Sequence, residues 1–559
     1  MANSEKGQNM TELPKNLRDW AKTCNGVPGI PVRQHLLAVL HVAEELLRRF
    51  PRFCEQCRIT PQAVLFLAAS HDVGKLSLDF LQLSLVWLES QGLSRRAIRE
   101  GWKELYTRSH SLVSRDSLHK FCHEGGHCSS KSAACWAAVV GAHHGRITRR
   151  YSSAPYVPKV PERVLEQERQ TCLQEMWERC GRPTLPEVDK NDPVLWSVAG
   201  LITLADWIGS DEDFFPPDTE LDEPTLQQRA AEAVAAIGLG LPSVRAHLDF
   251  ADIFAGRTPY PLQSMAAEVI NAPGIYIIEA PMGMGKTEAA LWAAYRLLAN
   301  AKSDGIFFAL PTQATSNRMF LRFADFVRRI CPEAASAQLV HGNSWLQDDL
   351  KALARPASPD SAADPCWFST ARRALFAPFG VGTVDQALLS VLAVKHFALR
   401  RFALAGKVVV VDEVHTYDMY TGTLVRHVCR ELEQLGCTVI ILSATLTEEA
   451  RCSLLDLPAA EEDISAPYPR ISGRAAGDTL PEGHPPSRPD SIVRIEHPDR
   501  EAALNRALDL AGQGAHVLWI CDTIARAQED FCTLRQRAAA LTSSPGTGLL
   551  HSRFPFYRR

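Results

Sequence analysis

The sequence lacks several features that would place a protein at a membrane or outside the cell. No apolar run approaches the ~18 residues that a membrane-spanning helix needs, and the polar N-terminus, MANSEKGQNMTELPK, has no signal-peptide core. The net charge is only −4, so any binding of nucleic acid must come from local clusters of Lys and Arg. These absences favour a cytoplasmic protein with no membrane partner.

The cysteines do not form a recognisable metal-binding pattern, although there are 15 of them. Cys54 and Cys57 make one CxxC pair, and no convincing second pair lies nearby. A structural zinc site usually needs four ligands. We therefore interpret the cysteines as core and surface thiols, which a reducing compartment keeps free.

The length of 559 residues is too great for one core and predicts roughly three or four domains. An apolar content of 46% and a charged content of 22% are typical of a globular protein. No internal repeat is evident. We therefore expect several domains of different architecture.

The first 235 residues have the apolar spacing of helices. Residues 150–190 are rich in Pro and Glu, and we interpret them as a surface excursion. The predicted helices are 30–50, 60–76, 127–144 and 192–209. This part of the chain, 1–235, is therefore predicted to be an all-α domain.

The pattern of predicted secondary structure changes after a predicted linker at 236–255. Short β-branched strands alternate with helices, which indicates a parallel α/β sheet at 256–455. Residues 456–490, rich in Pro, Gly and Ser, are predicted to be a second linker or long loop. Residues 491–559 resemble the start of another α/β unit, with strand-like runs at 516–521 and 548–554. The strands predicted for the sheet are 274–280, 305–310, 407–413 and 438–445.

The run APMGMGKT (280–287) predicts a nucleotide-binding loop, because it follows a strand and opens a helix. Gly283 and Gly285 let backbone N–H groups approach phosphates. Lys286 supplies a cation, and the hydroxyl of Thr287 can hold Mg²⁺. Gln263, upstream of the loop, is positioned to contact an adenine edge.

A second nucleotide motif, VVVVDEVH, ends a later strand. Asp412 is expected to bind Mg²⁺, and Glu413 to orient the attacking water. His415 completes a DExH box, and Ser443–Thr445 follows the next strand. In this order the motifs are similar to those of superfamily 2 helicases and translocases, in which loops such as 311–320 and 382–390 contact the nucleic-acid backbone.

The adjacent pair His71–Asp72, in AASHDVGK, predicts a metal site in the helical domain. Histidine and carboxylate together suit a transition metal such as Fe, Mn, Co or Ni. Asp72 can bridge two ions, which together can promote phosphodiester cleavage. Lys75 is expected to face the same pocket and to attract phosphate. The predicted ligands are His35, His71, Asp72, His123, His143, His144 and Asp206.

Two of these assignments have competitors in the sequence. His35 shares its helix with His41, and we prefer His35. His119, His123 and His127 compete for one position, for which we choose His123. Asp206 lies in an apolar helix, where an unpaired carboxylate would be costly, so a metal partner is expected.

The combination of motifs resembles the CRISPR-associated nuclease–helicases of type I systems. The resemblance rests on HLLAVLHVAEEL, HDVGK, KFCHE, AHHG and LADWIGSDEDFFP, and on PYPLQ, APMGMGKTEAAL, LPTQATSNRMF, GVGTVDQALLSVL, VVVDEVHTYDMY and SATL. It implies an HD-type nuclease domain followed by a RecA-like lobe and the start of a second. It also implies Mg-ATP, two metal ions, single-stranded DNA as substrate, and recruitment by an RNA-guided surveillance complex in antiviral defence.

The family continues for several hundred residues beyond LLHSRF. The resemblance therefore implies that the rest of the second lobe is missing, with the arginine it supplies to ATP, and that this chain lacks helicase activity. The nuclease half is expected to work alone, without ATP. Two alternatives stay open, namely a metal-dependent phosphohydrolase acting on nucleotides and an inactive remnant that only binds nucleic acid.

Overall fold

The computed structural model describes most of the chain. The described residues are 18–93, 109–145, 160–239, 241–332, 338–340, 374–392, 394–414, 419–458, 467–475, 478–480, 482–486, 494–540, 545–551 and 554. Chain contacts divide the molecule into two units, Met1–Ser487 and Arg488–Arg559. The boundary falls within 456–490, but the prediction of a linker there needs correction, because Arg470–Ala475 and Asp478–Thr479 are strands of the sheet.

The N-terminal part of the first unit is helical, as predicted. A short hairpin of β1 (Thr23–Cys24) and β2 (Val27–Pro28) precedes the helices. The helices are α1 (Val32–Arg49), α2 (Phe53–Gln56), α3 (Pro61–Ala69), α4 (Leu78–Leu81), α5 (Leu85–Ser90), α6 (His110–Glu124), α7 (Ser130–Val140), α8 (Val160–Arg179), α9 (Pro193–Gly209) and α10 (Glu223–Ile237).

Two helix predictions need correction. The helix predicted over 60–76 ends at Ala69, and a 3₁₀ turn follows at Val73–Lys75, so His71 and Asp72 lie in the break between them. The predicted surface excursion at 150–190 contains the 20-residue helix α8. This helix buries Leu173 and Met176 in the core, an apolar stripe too sparse to stand out among its charged residues.

The α/β part of the first unit is a mostly parallel sheet, as predicted. Its order is β10-β9-β3-β8-β7-β4-β6-β5. Among the described strands, β9 pairs antiparallel with both β3 and β10, and the other pairs are parallel. The strands are β3 (Gly274–Glu279), β4 (Ile306–Leu310), β5 (Gln338–Val340), β6 (Phe379–Thr383), β7 (Val408–Val411), β8 (Thr438–Ser443), β9 (Arg470–Ala475) and β10 (Asp478–Thr479). The helices are α11 (Phe250–Ile253), α12 (Pro261–Val269), α13 (Lys286–Ala299), α14 (Gln313–Ile330), α15 (Val384–Leu388), α16 (Phe397–Leu404), α17 (Met419–Gln434) and α18 (Glu448–Leu454).

The two faces of the sheet belong to different cores. Ile275 and Ile277 of β3 point into a core that also contains the helices of the N-terminal half. Tyr276 and Ile278, on the opposite face, join a core formed with α12, α13 and α14. The alternation follows from the period of two along a strand. The helical half and the sheet therefore share one continuous hydrophobic core.

In its described residues, the second unit contains two helices, α19 (Arg500–Gly512) and α20 (Ile524–Ala539). The prediction of strands at 516–521 and 548–554 is not met, because the described residues of both segments are not assigned to strands. Leu518 and Ile520 are 82% and 81% exposed. A strand needs a neighbouring strand to pair its backbone groups, so β-branched composition alone does not make one.

None of the helices in the described part of the chain combines the length and apolarity needed to cross a membrane.

Candidate metal centre and nucleotide site

The break after α3 presents His71 and Asp72 to the interior of the helical half. Ser70 ends α3, with its hydroxyl donating to the Phe66 carbonyl at 2.6 Å. The ring nitrogen Nδ1 of His71 lies 2.8 Å from the Ala68 carbonyl oxygen. The 3₁₀ turn that follows is fixed to α6, because the N–H of Gly74 donates to the Ser114 hydroxyl at 2.9 Å.

Four of the predicted ligands meet around this break. Donor atoms of His35, His71, Asp72 and Asp206 all lie within 4.8 Å of one another. His35 Nε2 is 3.2 Å from Asp72 Oδ2, and His71 Nε2 is 3.4 Å from Asp206 Oδ1. His35 and His71 are completely buried. The preferred His35 is therefore in the cluster, whereas His41 faces Glu44 at 3.4 Å.

A second group of histidines lies on the other side of Asp72. Donor atoms of His110, His143 and His144 also lie within 4.8 Å of one another. His143 Nε2 is 3.1 Å and His110 Nε2 is 3.5 Å from Asp72 Oδ1. Because the other carboxylate oxygen, Oδ2, faces His35, Asp72 stands between the two groups.

The structure does not bring His123 to the cluster, and His110 is there instead. His123 is exposed and stacks on His119, with 6.0 Å between ring centroids. His110 begins α6, and His123 lies near its end. Thirteen residues of helix span ~20 Å, and it is the N-terminal end of α6 that abuts the 3₁₀ turn. Recognising Ser109 as the N-cap of this helix was the available signal for His110.

Burial and neighbouring charges oppose each other in this cluster. Burial alone would raise the pKa of Asp72, but the charges of Lys75 and His71 outweigh it and hold this pKa well below its usual range. Burial disfavours a protonated His71, yet Asp72 and Asp206 raise its pKa to about 9. Burial, followed by the charge of Lys75, lowers the pKa of His35 to about 3. The carboxylates therefore stay ionised, and His71 carries a proton that a metal ion would displace on binding.

The residues of the cluster fit a transition metal. Within the described part of the chain, the buried atoms His71 Nε2, His143 Nε2 and Asp72 Oδ1 form no hydrogen bond. In both histidines the other ring nitrogen, Nδ1, lies 2.8 Å from a backbone carbonyl oxygen. Once a metal ion has displaced any proton on Nε2, the hydrogen bond from Nδ1–H leaves the lone pair of Nε2 directed at the cluster, the arrangement usual for metal-bound histidine. The donor set of imidazoles and carboxylates is one that Fe, Mn, Co and Ni accept.

Lys75 lies in the same pocket as Asp72. Its Nζ lies 2.7 Å from Asp72 Oδ2 and 5.6 Å from the centroid of the Phe80 ring. The ammonium group is thus held at the cluster by an ion pair and an aromatic face.

Helix α8 packs against the 3₁₀ turn Val73–Lys75, which is called here the metal-site turn. The sequence did not predict this role. Arg169 is completely buried. It donates to the Leu76 carbonyl, which directly follows the 3₁₀ turn, and to the Ser117 hydroxyl at 3.0 Å. Its charge is balanced by Glu166 at 2.8 Å. Arg169 therefore connects α8, α6 and the turn that carries Lys75.

The predicted nucleotide residues meet at one cleft of about 800 Å³ at the carboxyl ends of the strands. Gly283 and Gly285 have φ values of +79° and +76°, and α13 begins at Lys286 with its N-terminus toward the cleft, a geometry that favours anions. The residues of the prediction that line the cleft are Gln263, Gly283, Gly285, Lys286, Thr287, Asp412 and Glu413. His415 lies outside the described residues.

Contacts within the cleft hold the loop in place. Gln263 Nε2 donates to the Gly285 carbonyl at 3.2 Å, and its Oε1 accepts from the Tyr260 N–H at 2.8 Å. Lys286 Nζ donates to the Ala280 carbonyl at 2.6 Å. Burial lowers the pKa of Lys286, against the attraction of Glu413 and Asp412. The cleft therefore joins a cation and two acids, as Mg-ATP requires.

Two domain profiles match this chain in the order of its two halves. The profile of the Cas3 HD domain matches residues 20–215, and that of the DEAD/DEAH box helicase matches residues 260–452. The CRISPR-associated endonuclease/helicase Cas3 of Thermus thermophilus is 33% identical over 487 residues, which cover 81% of this chain and 52% of that protein.

Two solved structures have the same fold. The crystal structure of T. fusca Cas3 with AMPPNP superimposes with a TM-score of 0.77 and 30% identity, covering 98% of this chain and 66% of that one. A chain of a CRISPR RNA-guided surveillance complex before nicking gives a TM-score of 0.65 at 27% identity, covering 95% and 62%. The chain thus spans between about half and two thirds of the length of these relatives. Since both profiles match in series and the likeness extends along nearly all of the sequence, the chain belongs to the Cas3 family.

Proposed function

We propose that this chain is a metal-dependent nuclease that cleaves single-stranded DNA, joined to a motor lobe that binds Mg-ATP. The proposed role is degradation of foreign DNA in CRISPR antiviral defence, in the cytoplasm, after recruitment by an RNA-guided surveillance complex. The single observation that carries the nuclease is the position of Asp72 between two groups of buried histidines.

The proposed ligands fall into two groups that share Asp72. One group is His35, His71 and Asp206, and the other is His110, His143 and His144. When bound there, two divalent ions would supply an activated water and stabilise the leaving oxygen of a phosphodiester. The metal we expect is Fe, Mn, Co or Ni, because imidazole nitrogens dominate the donor set.

The protein itself contributes orientation and charge. The contacts of His71 and His143 with backbone carbonyl oxygens fix the direction of both rings, so no reorganisation is needed when substrate arrives. Lys75, paired with Asp72 at 2.7 Å, places a positive charge where a phosphate would approach. We therefore assign Asp72 as the bridging ligand and Lys75 as a phosphate-binding group.

In the motor lobe, we assign Lys286 to the nucleotide phosphates and Thr287 to Mg²⁺. Asp412 would complete the Mg²⁺ site, and Glu413 would orient the attacking water. The support for these roles is that all four residues line the same cleft. Gln263, buried beside Gly285, is the candidate for contact with the adenine.

The partner and the substrate are proposed from the relatives. One of the similar chains belongs to a CRISPR RNA-guided surveillance complex before nicking. This chain follows the fold of that relative over 95% of its length, so the same kind of complex is the partner we propose. A strand that such a complex displaces would reach the metal centre as single-stranded DNA.

The test is cleavage of single-stranded DNA by the purified chain with Mn²⁺, Co²⁺, Ni²⁺ or Mg²⁺ added in turn. Asp72→Asn should abolish cleavage, because it removes the charge shared by both groups of histidines. His123→Ala is the matched control, since this exposed histidine lies outside the cluster, and it should cut like the parent chain.

Two results would refute the proposal. One is a parent chain that cuts no DNA with any of the four metals, and the other is an Asp72→Asn variant that cuts normally. Nucleotides offered in parallel show whether the centre acts on small phosphate esters instead, because hydrolysis of nucleotides without cleavage of DNA would replace the nuclease by a nucleotide phosphohydrolase.

A further inference from the structure

The helix that carries Asp206 is packed against the motor lobe. One face of α9 presents Asp206 to the cluster. Another face lies against α16, so close that a methyl group on Gly200 would come within 2.5 Å of both the Ala398 carbonyl oxygen and the Phe402 side chain. A contact this tight fixes the position of α9 relative to the lobe, because close-packed interfaces deform little.

The loop that carries His143 and His144 is held by the same part of the motor lobe. The Gly145 carbonyl accepts a hydrogen bond from the N–H of His396 at 3.0 Å. Gly145 has a φ of +80°, and a Cβ at this position would collide with the imidazole of His396. Only glycine combines this backbone conformation with this approach.

One residue, His396, contacts both ligand-bearing elements. Its ring lies 5.4 Å from that of Trp207, the residue after Asp206, and its N–H bonds to Gly145, the residue after His144. His396 is 7% exposed. It adopts a left-handed φ of +64°, which non-glycine residues keep only where their surroundings enforce it.

We propose that His396 is a positioning residue for the metal centre, so that the motor lobe completes a site whose ligands all belong to the nuclease half. The inference rests on the proposed function in one respect, namely that the cluster binds metal. His396 itself is not a member of either donor group. It acts through Gly145 on the histidine loop and through Trp207 on α9.

The chain connects His396 to the nucleotide site through one helix and one strand. His396 is the N-cap of α16, and β7 begins four residues after α16 ends. That strand leads into Asp412 and Glu413. His396, which contacts both ligand-bearing elements, is therefore joined through α16 and a short connection to β7, the strand that precedes Asp412 and Glu413.

The test measures Co²⁺ binding to the full chain by its visible absorption, a readout that needs no catalysis. His396→Gly keeps the backbone conformation and the N–H donor and removes only the ring. We expect Co²⁺ to bind ~10–100-fold more weakly, the usual effect of losing a group that orients metal ligands. The absorption spectrum should also change, because the geometry of the ligands is altered.

The matched control is Arg52→Ala. This change breaks an ion pair of 2.6 Å with Asp304, between the same two halves of the unit but away from the ligand loops. We expect its Co²⁺ affinity and spectrum to equal those of the parent chain. A second variant, Gly145→Ala, should weaken Co²⁺ binding in the parent but much less in the His396→Gly background, because the ring that the new methyl group would strike is gone.

The inference is overturned if His396→Gly binds Co²⁺ with the affinity and spectrum of the parent, or if Arg52→Ala weakens binding equally. If the cluster around Asp72 does not bind metal at all, the result is different, because Asp72→Asn would then keep the full Co²⁺ affinity of the parent chain. That result would refute the proposed function and this inference together.

Discussion

Replacing Arg169 by methionine should destabilise the helical half substantially. Arg169 is completely buried, and its Nε and Nη2 atoms lie 2.9 and 2.8 Å from Glu166. Removing one partner of a buried ion pair costs about 3–5 kcal/mol, because the other charge is left buried. Glu166 would keep bonds from Ser117 at 3.0 Å and Gln170 at 2.7 Å. We therefore expect the lower end of that range.

Differential scanning calorimetry of the full chain measures this effect. A loss of about 3 kcal/mol lowers the melting temperature of a domain of 150–250 residues by ~6–12 °C. Glu166→Gln combined with Arg169→Met should recover part of the loss, since no charge is then left buried without its partner. Arg169→Met should also weaken Co²⁺ binding, because the Leu76 carbonyl behind the metal-site turn loses its donor.

Arg179→Met is the matched control on the same helix. Arg179 also forms ion pairs, with Glu175 and Glu223, but its side chain is 33% exposed. Surface pairs of this kind contribute about 0–1 kcal/mol each, so the loss of both should lower the melting temperature by no more than ~8 °C. If Arg169→Met lowers the melting temperature no more than Arg179→Met does, the proposal that Arg169 of α8 stabilises the helical half is refuted.

Three further outcomes are expected. Lys286→Ala should abolish ATP binding in a fluorescent-nucleotide titration while Co²⁺ binding stays unchanged, because the two sites share no side chain, and parallel losses would contradict this. His110→Ala should weaken Co²⁺ binding at least tenfold, whereas His123→Ala should not, as a ligand is expected to matter at least as much as the groups that orient it; equal affinities would remove His110 from the metal centre. A fragment of residues 1–239 should melt at a lower temperature than the helical half within the full chain, because it exposes the face of α9 that contains Gly200, and an equal melting temperature would show that the shared core adds nothing.

Most of the fold follows from local patterns in the sequence. The β-branched runs predicted as strands at 305–310 and 438–445 are strands at Ile306–Leu310 and Thr438–Ser443. Buried parallel strands are apolar on both faces, so they are visible without knowledge of their neighbours. Helix α1 is equally visible from its apolar spacing.

The errors have a common cause, which is dependence on tertiary contacts. The structure places His110 at the cluster instead of His119, His123 or His127, because it is the N-terminal end of α6 that packs on the 3₁₀ turn. Helix α8 was missed because its buried apolar residues, such as Leu173 and Met176, are sparse among charged residues, and one of those charged residues, Arg169, is itself buried. Likewise, residues 516–521 have a strand-like composition but no ladder partner among the described residues.

The shared core also changes how the two halves should be understood. Sequence motifs divide the chain into a nuclease half and a motor half, and that division suggested a nuclease able to act alone. The structure instead joins the halves through one hydrophobic core, with the rings of Phe53 and Phe402 in edge contact at 5.3 Å. α9 carries Asp206 on one face and packs on α16 with another, so the contact with the motor lobe reaches the helix of this proposed ligand. The covalent order of the motifs therefore understates the coupling, since the metal centre and the nucleotide cleft are connected through a single packed interface rather than through a linker.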